Sequence, residues 1–365
     1  MTRPFFTVGI LAYNRAALLP GILDSILAQD FADYEILVAE DASPEAAEIR
    51  AIVERYAAAA AAATAGAAAA AAAVAPAPHW PIRLHQHATT VGYDANLRTL
   101  VAEARGQYVL FLGNDDYLAP GALRAAHAGL TRHPETGGIL RSWAGFREDR
   151  QRPTDVSRYV PSARVIPAGR AAILASHRRF VPLAGIVLHR DDAHAAASAA
   201  VDGALFYQQW LSGHVLAKRP LLCLPDVLVQ IQLGSVAAFG SAEIERRHFT
   251  PGPRSLQQDV RLVEGLFTVG DALERSLGIA GLGADIRRDF ARRSYPTLEL
   301  FAQSGRGALL EGYGRLGALG LRRFASFHLW FVALLLAGPR PLRWMIRRAQ
   351  ALLGHTPSVG SALQG

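Results

Sequence analysis

The chain has 365 residues, is 51% hydrophobic and carries a formal net charge of +7, which excludes wholesale disorder and leaves material for a sizeable core. Its single cysteine, Cys223, excludes an intramolecular disulfide and a cysteine-based zinc site. Its single lysine, Lys218, lies in VLAKRP rather than GxxxxGK[ST], which excludes a P-loop and leaves only that residue for a pyridoxal Schiff base.

Taken in chain order, residues 5–12 form a short apolar run that reads as a buried parallel strand. The N-terminus enters this strand almost directly, without the basic start and long apolar run of a signal peptide. Asn14 is expected to open a helix with Leu18, Leu19, Ile22, Leu23, Ile26 and Leu27 on one face. A second strand, 34–39, ends in Glu40, Asp41, Ala42, Ser43 and Pro44, with Ser43 as N-cap and Pro44 as first helical residue. The helix through Ile49, Ile52 and Val53 passes into an alanine-rich insertion, 57–75, with no chemical role and either helical or mobile. Residues 82–87 read as a third strand, 96–105 as a third helix and 107–112 as a fourth strand.

Strands alternating with helices predict an α/β fold with a mostly parallel sheet, whose ligands bind beyond the carboxyl ends of the strands. Three polar clusters fall at such ends: Ala12, Tyr13 and Asn14; Glu40, Asp41, Ala42 and Ser43; and Asn114, Asp115 and Asp116. The stretch FLGNDDYL is by itself ordinary turn chemistry. Beside Asp41 it becomes a candidate site for a hard divalent cation, Mg²⁺ or Mn²⁺, that takes oxygen ligands and leaves positions for a diphosphate. No GxSxG, HExxH or GxGxxG after the first strand competes with this reading.

The two blocks TVGILAYNRAALLPGILDSILAQDFADYEILVAEDAS and VGYDANLRTLVAEARGQYVLFLGNDDYLAPGAL resemble those of family 2 glycosyltransferases. The resemblance covers the first 120 residues and continues less sharply to about residue 232. It implies a GT-A fold and inverting transfer of a sugar from a nucleotide-sugar donor. It also implies that Asp41 recognises the nucleobase, that the backbone around Leu11 and Tyr13 lines the base pocket, and that Asp115 and Asp116 contact the ribose and the metal, with Asp116 the metal ligand; Asn14 is a further candidate for binding the nucleotide sugar. The chain departs from the pattern at Gly113, where relatives carry a further acid, and at Glu40-Asp41, where two aspartates are usual.

FVPLAGIVLHR, 180–190, is expected to be the strand lining the acceptor side. DGALFYQQW, 202–210, occupies the stretch where such enzymes carry a general base on a helix, and it contains no Glu-Asp pair. Asp202 is the nearest acid, with Asp191 and Asp192 as alternatives. Tyr207 and Trp210 are either acceptor-stacking or core residues, and His85 and His87 are structural.

From about residue 240 the chain reads as helical. The expected organisation is a catalytic domain over 1–240 and a helical region over 241–365. Residues 327–337 are strongly apolar but too few to span a bilayer. Arginines flank them across 322–348, where no acid occurs. This segment is either an in-plane anchor on an anionic membrane or a helix buried against the catalytic domain. The reading as a whole is a transferase at the cytoplasmic face of the membrane. Its acceptor is a glycan or lipid-linked glycan in bacterial surface polysaccharide assembly. A catalytically degenerate domain of the same fold that binds a glycan or acts as a scaffold is the alternative. The basic residues are spread along the chain rather than packed into one block, so no nucleic-acid partner is expected.

Overall fold

The structure, a computed structural model, describes residues 3–70, 80–234, 245–246, 249 and 255–352. Mostly apolar runs produce strands buried on both faces, β1 (Phe6–Ala12), β2 (Tyr34–Glu40) and β4 (Tyr108–Gly113), whereas β3 (Ile82–Gln86) alternates apolar and polar residues and is largely half-buried. They lie parallel in the order β3-β2-β1-β4. The sheet continues through β9 (Val187–His189), β6 (Gly138–Phe146), β10 (Leu221–Gln232) and β5 (Asp116–Leu118). β9 and β5 run antiparallel to their neighbours, and β7 (Asp155–Ser157) and β8 (Arg164–Ile166) add to β6 and β10.

Alternation along the strands supplies two cores. Val8, Ile10, Ala12, Ile36 and Val38 face α1 (Leu19–Leu27), α2 (Ala46–Ala70) and α4 (Ala122–Arg132). Leu11, Leu37, Ala39, Val109 and Phe111 face the other way, towards α3 (Tyr93–Glu103) and α7 (Tyr207–Lys218). α5 (Arg170–His177) and α6 (Arg190–Ala195) complete that second layer.

The carboxyl-terminal part is helical: α8 (Leu256–Leu277), α9 (Leu282–Arg292), α10 (Tyr295–Gln303), α11 (Arg306–Ala318), α12 (Ala325–Ala337) and α13 (Pro339–Leu352). Ser255 and Gln258 form a capping box at the start of α8. α8 packs closely on the segment entering α7, since a Cβ at Gly265 would lie 2.2 Å from the Ala204 carbonyl oxygen. The second core therefore runs without interruption from Leu11 to Leu342.

Several boundaries differ from the sequence expectation. Asn14 does not open a helix: it and Arg15 take left-handed backbone angles, a 3-10 turn spans Ala16–Leu18, and α1 begins at Leu19. Pro20, without an N–H, fits the first turn. Ser43 does not cap α2, which begins at Ala46. α3 begins three residues earlier than expected because Gly92, at φ +85°, turns the chain into Tyr93. The expected strand 180–190 shrinks to Val187–His189. α2 stays helical through Ala70, and the rest of the alanine-rich segment lies outside the described residues.

Candidate active site

β1, β2 and β4 point the same way, so their carboxyl ends meet at one sheet edge. Asn114 ties two of them together, its Nδ2 donating to the carbonyl oxygens of Tyr13 and Asn14 at 3.0 Å each. Three non-glycine residues here have positive φ: Asn14 at 56°, Arg15 at 60° and Ala42 at 50°. Each such conformation costs of order 1 kcal/mol and is held by its surroundings, as is common where a chain is shaped for a ligand. Asn14 Oδ1, Glu40 Oε2 and Ser43 Oγ are buried without a protein partner, so polar groups remain to be satisfied at these strand ends.

Asp41 is 3% exposed and accepts from the backbone N–H groups of Val91 at 2.6 Å and Gly92 at 2.8 Å. Burial pushes its pKa up to about 6, against the lowering effect of those two bonds. The same carboxylate raises the pKa of Tyr13, after the larger effect of burial. Leu11 is 8% exposed, on the β1 face opposite Ala12.

Asp115 and Asp116 border a small hollow over Gly113. A Cβ there would lie 3.0 Å from Asp116 Oδ2 and 3.2 Å from Asp115 Oδ1, so oxygens of both carboxylates face one space that glycine leaves open. Arg15 forms an ion pair with Asp115. Burial, then the neighbouring Asp115 charge, raises Asp116 well above the usual carboxylate range, while the Gln232 N–H and the charge of Arg141 oppose that rise. Two carboxylates over a hollow suit Mg²⁺ or Mn²⁺, which binds through one or two carboxylates and takes its other oxygens from a phosphate-bearing substrate. Among the described residues no group of three or more His, Cys, Asp or Glu forms a metal cluster.

The other expected residues fall elsewhere. Asp202 lies in the turn before α7, held by Arg98 of α3 through two hydrogen bonds of 2.5 and 3.0 Å. Asp191, the alternative base, does not reach the strand ends. β9 runs antiparallel to β4 with His189 opposite Tyr108, so Asp191 follows at the amino-terminal edge of the sheet. It pairs there with Arg3 and Arg190. The six-residue β4 separates it from Gly113 by about 17–20 Å, too far for proton transfer at the strand ends. Asp192 is held at the same edge by Arg219 and His189. Tyr207 and Trp210 are core residues, 0% and 5% exposed.

Sequence reasoning missed four contributors. Arg15 follows the first cluster directly, but its reach to Asp115 depends on its left-handed backbone. Asp94 accepts from the N–H groups of Gly203, Leu205 and Tyr207, fixing the turn into α7, and burial pushes it up to about 6. Arg141 is fully buried and donates to the carbonyls of Arg179, Pro182 and Ala184. Glu245 accepts from the Tyr93 N–H and acts electrostatically on Tyr13. A charged residue within an apolar strand, as at Arg141, is the one signal that was available.

Residues 7–167 match the family model described as Glycosyl transferase family 2. A search of curated proteins returns no match. Among solved structures, S. aureus TarS 1-349 in complex with UDP-GlcNAc is 15% identical, with a TM-score of 0.49 over 91% of this chain and 92% of that one. The mannosyltransferase PcManGT from Pyrobaculum calidifontis, in complex with GDP-Man and Mn²⁺, is 16% identical, with a TM-score of 0.49 over 93% of this chain and 88% of that one.

Proposed function

We propose, from the match of residues 7–167 to the glycosyl transferase family 2 model, an inverting transferase that moves a sugar from a nucleotide-sugar donor to a hydroxyl of a glycan or lipid-linked glycan. The observation that carries this reading is the meeting of three strand-end clusters, with the carboxylates of Asp115 and Asp116 facing one hollow over Gly113.

Tyr13, Leu11 and Asp41 serve the base end of the donor, beside the strained Asn14. Asp41 gives two of its roughly four acceptor positions to Val91 and Gly92, which leaves the others for the base. Asp115 serves the ribose. Asp116, with Asp115, is the residue to hold Mg²⁺ or Mn²⁺, and such a cation supplies Lewis acidity to the diphosphate leaving group. In the transfer, the acceptor oxygen bonds the anomeric carbon as the bond to the diphosphate breaks, and the hydroxyl proton passes to a base.

A second reading, a donor-binding domain without turnover, is favoured by one observation. Asp202, the acid expected as base, is engaged by Arg98.

Calorimetric titration with UDP, GDP and other nucleoside diphosphates, with Mn²⁺ and with chelator, tests the first reading. Mn²⁺-dependent binding weakened at least tenfold by Asp116→Asn is expected. Absence of such binding for every nucleotide overturns the donor site. Binding without transfer or hydrolysis of any donor sugar selects the second reading.

A further inference from the structure

α12 breaks the usual rule for a surface helix. Phe327, Phe331 and Leu334, at 0%, 9% and 2% exposure, seat one face in the core. Tyr313 stacks on Phe327 and Phe331 at 5.0 and 3.8 Å between ring centroids, and Trp330 Nε1 donates to the Arg292 carbonyl. The opposite face is held outward by that packing and should be polar in a solvated helix. It presents Leu329, Val332 and Leu336 instead, at 69%, 45% and 79% exposure. α13 adds Trp344 and Met345 at 58% and 56%. No single described helix is long and apolar enough to cross a bilayer, and α12 and α13 meet at a 120° bend.

The charge around this face is one-sided. From Gly312 to the last residue the sequence has seven arginines and no Asp, Glu or Lys. The whole formal charge of +7 therefore resides there, because the remaining 31 basic residues are matched by 31 acids. Basic residues are spread along the chain, but their excess is not. Arg315 and Arg343 pair with Glu311 and Glu299. Exposed Arg322 and Arg323 precede α12, whereas exposed Arg340 and Arg348 follow its end, so cations bracket the apolar face. At the bend, Arg340 and Arg343 wall an open hollow of about 660 Å³ with Pro339, Pro341, Ala302 and Gln303.

We propose that the outer face of α12 and the start of α13 dock on an anionic lipid bilayer, in the plane of its surface. Leu329, Val332, Leu336 and Trp344 enter the boundary between headgroups and acyl chains, and Arg322, Arg323, Arg340 and Arg348 meet lipid phosphates. The hollow at the bend receives a headgroup. A second copy of this chain would bring the same cations face to face, which disfavours self-association through this surface.

Flotation of the full chain with phosphatidylglycerol-containing vesicles and with pure phosphatidylcholine vesicles tests the proposal. At least tenfold more protein should float with the anionic vesicles, and added salt should reduce the difference. Leu329→Glu/Leu336→Glu should lose that binding at least tenfold. These side chains are exposed, so the thermal melt and nucleoside diphosphate affinity should be unchanged. Arg340→Glu/Arg348→Glu should weaken binding to anionic vesicles alone. Equal flotation with both lipids, or none with either, overturns the proposal. So does a wild-type dimer that the double leucine variant dissociates without any vesicle binding by wild type. None of these outcomes depends on donor-sugar turnover.

Discussion

Replacing Gly113 with alanine adds one methyl group to the hollow between the two carboxylates. The new carbon would lie 3.0 Å from Asp116 Oδ2, 3.2 Å from Asp115 Oδ1 and 3.9 Å from the Asp116 carboxyl carbon. Comfortable contacts begin near about 3.5 Å, so both oxygens must retreat by a few tenths of an ångström. Gly113 is not among the positive-φ residues, so alanine fits its backbone, and a stability change within about 1 kcal/mol is expected. A small divalent cation holds its oxygens at closely set distances of about 2.0–2.1 Å. Moving both carboxylates should lower metal-dependent nucleotide affinity by roughly 10–100-fold, or about 1.4–2.7 kcal/mol. Calorimetric titration of UDP and GDP with Mn²⁺ and with chelator reads that loss, and urea unfolding checks the fold. An unchanged Mn²⁺-dependent affinity in a folded variant would refute the two-carboxylate site. A stability loss of about 3 kcal/mol or more would show that the hollow is close-packed core.

Four further perturbations test other parts of the structure. Asp94 is pushed up to about 6 from 3.8, so the folded state favours its protonated form. Its contribution is full below the unfolded value and is lost as pH rises through 6, about 1.3 kcal/mol of it between pH 5 and 7. Urea unfolding should therefore show a deficit of Asp94→Asn against wild type that is larger at pH 5 than at pH 7 by about that amount; a pH-independent deficit contradicts the linkage. His177 acts in the opposite sense, since burial lowers it to about 4 from 6.5. Its neutral form loses about 2 kcal/mol of relative stability as pH falls from 7 to 5, and His177→Gln should flatten that acid limb in urea unfolding. Arg141→Met removes a fully buried guanidinium that donates to three carbonyls and should cost roughly 3–5 kcal/mol in urea unfolding, whereas a loss under about 1 kcal/mol would mean water replaces the guanidinium. Asp202→Asn should leave the transfer rate within about threefold, because removal of a general base typically costs about 10²–10⁴-fold; a loss of that size with stability intact would assign the base role to Asp202.

Much of the site was legible because parallel strands state themselves locally. β1, β2 and β4 are apolar runs ending in polar residues, and their parallel pairing brings the ends that carry Tyr13, Asn14, Asp41, Asp115 and Asp116 to one edge of the sheet, as the rule for such strands expects. The helices do not start at Asn14 and Ser43, because tight left-handed turns at the strand ends override good capping chemistry. The direction of β9 was not legible at all. Val187, Leu188 and His189 carry no sign of parallel or antiparallel pairing, and that direction alone moves Asp191 to the far edge of the sheet.

By itself, then, the sequence determined the alternating α/β pattern, the strand-end clusters, and the apolar, arginine-flanked segment near the end. Tertiary structure decided that Gly113 opens a space shared by two carboxylates, that Arg98 engages Asp202, and that Asp94 fixes a turn more than a hundred residues away. It also decided which face of α12 is covered by Tyr313 and which is left bare. The division has a physical cause. Hydrophobic period and turn chemistry act over a few residues and are written locally, whereas the partner of a charge or an apolar face is set only when distant segments pack.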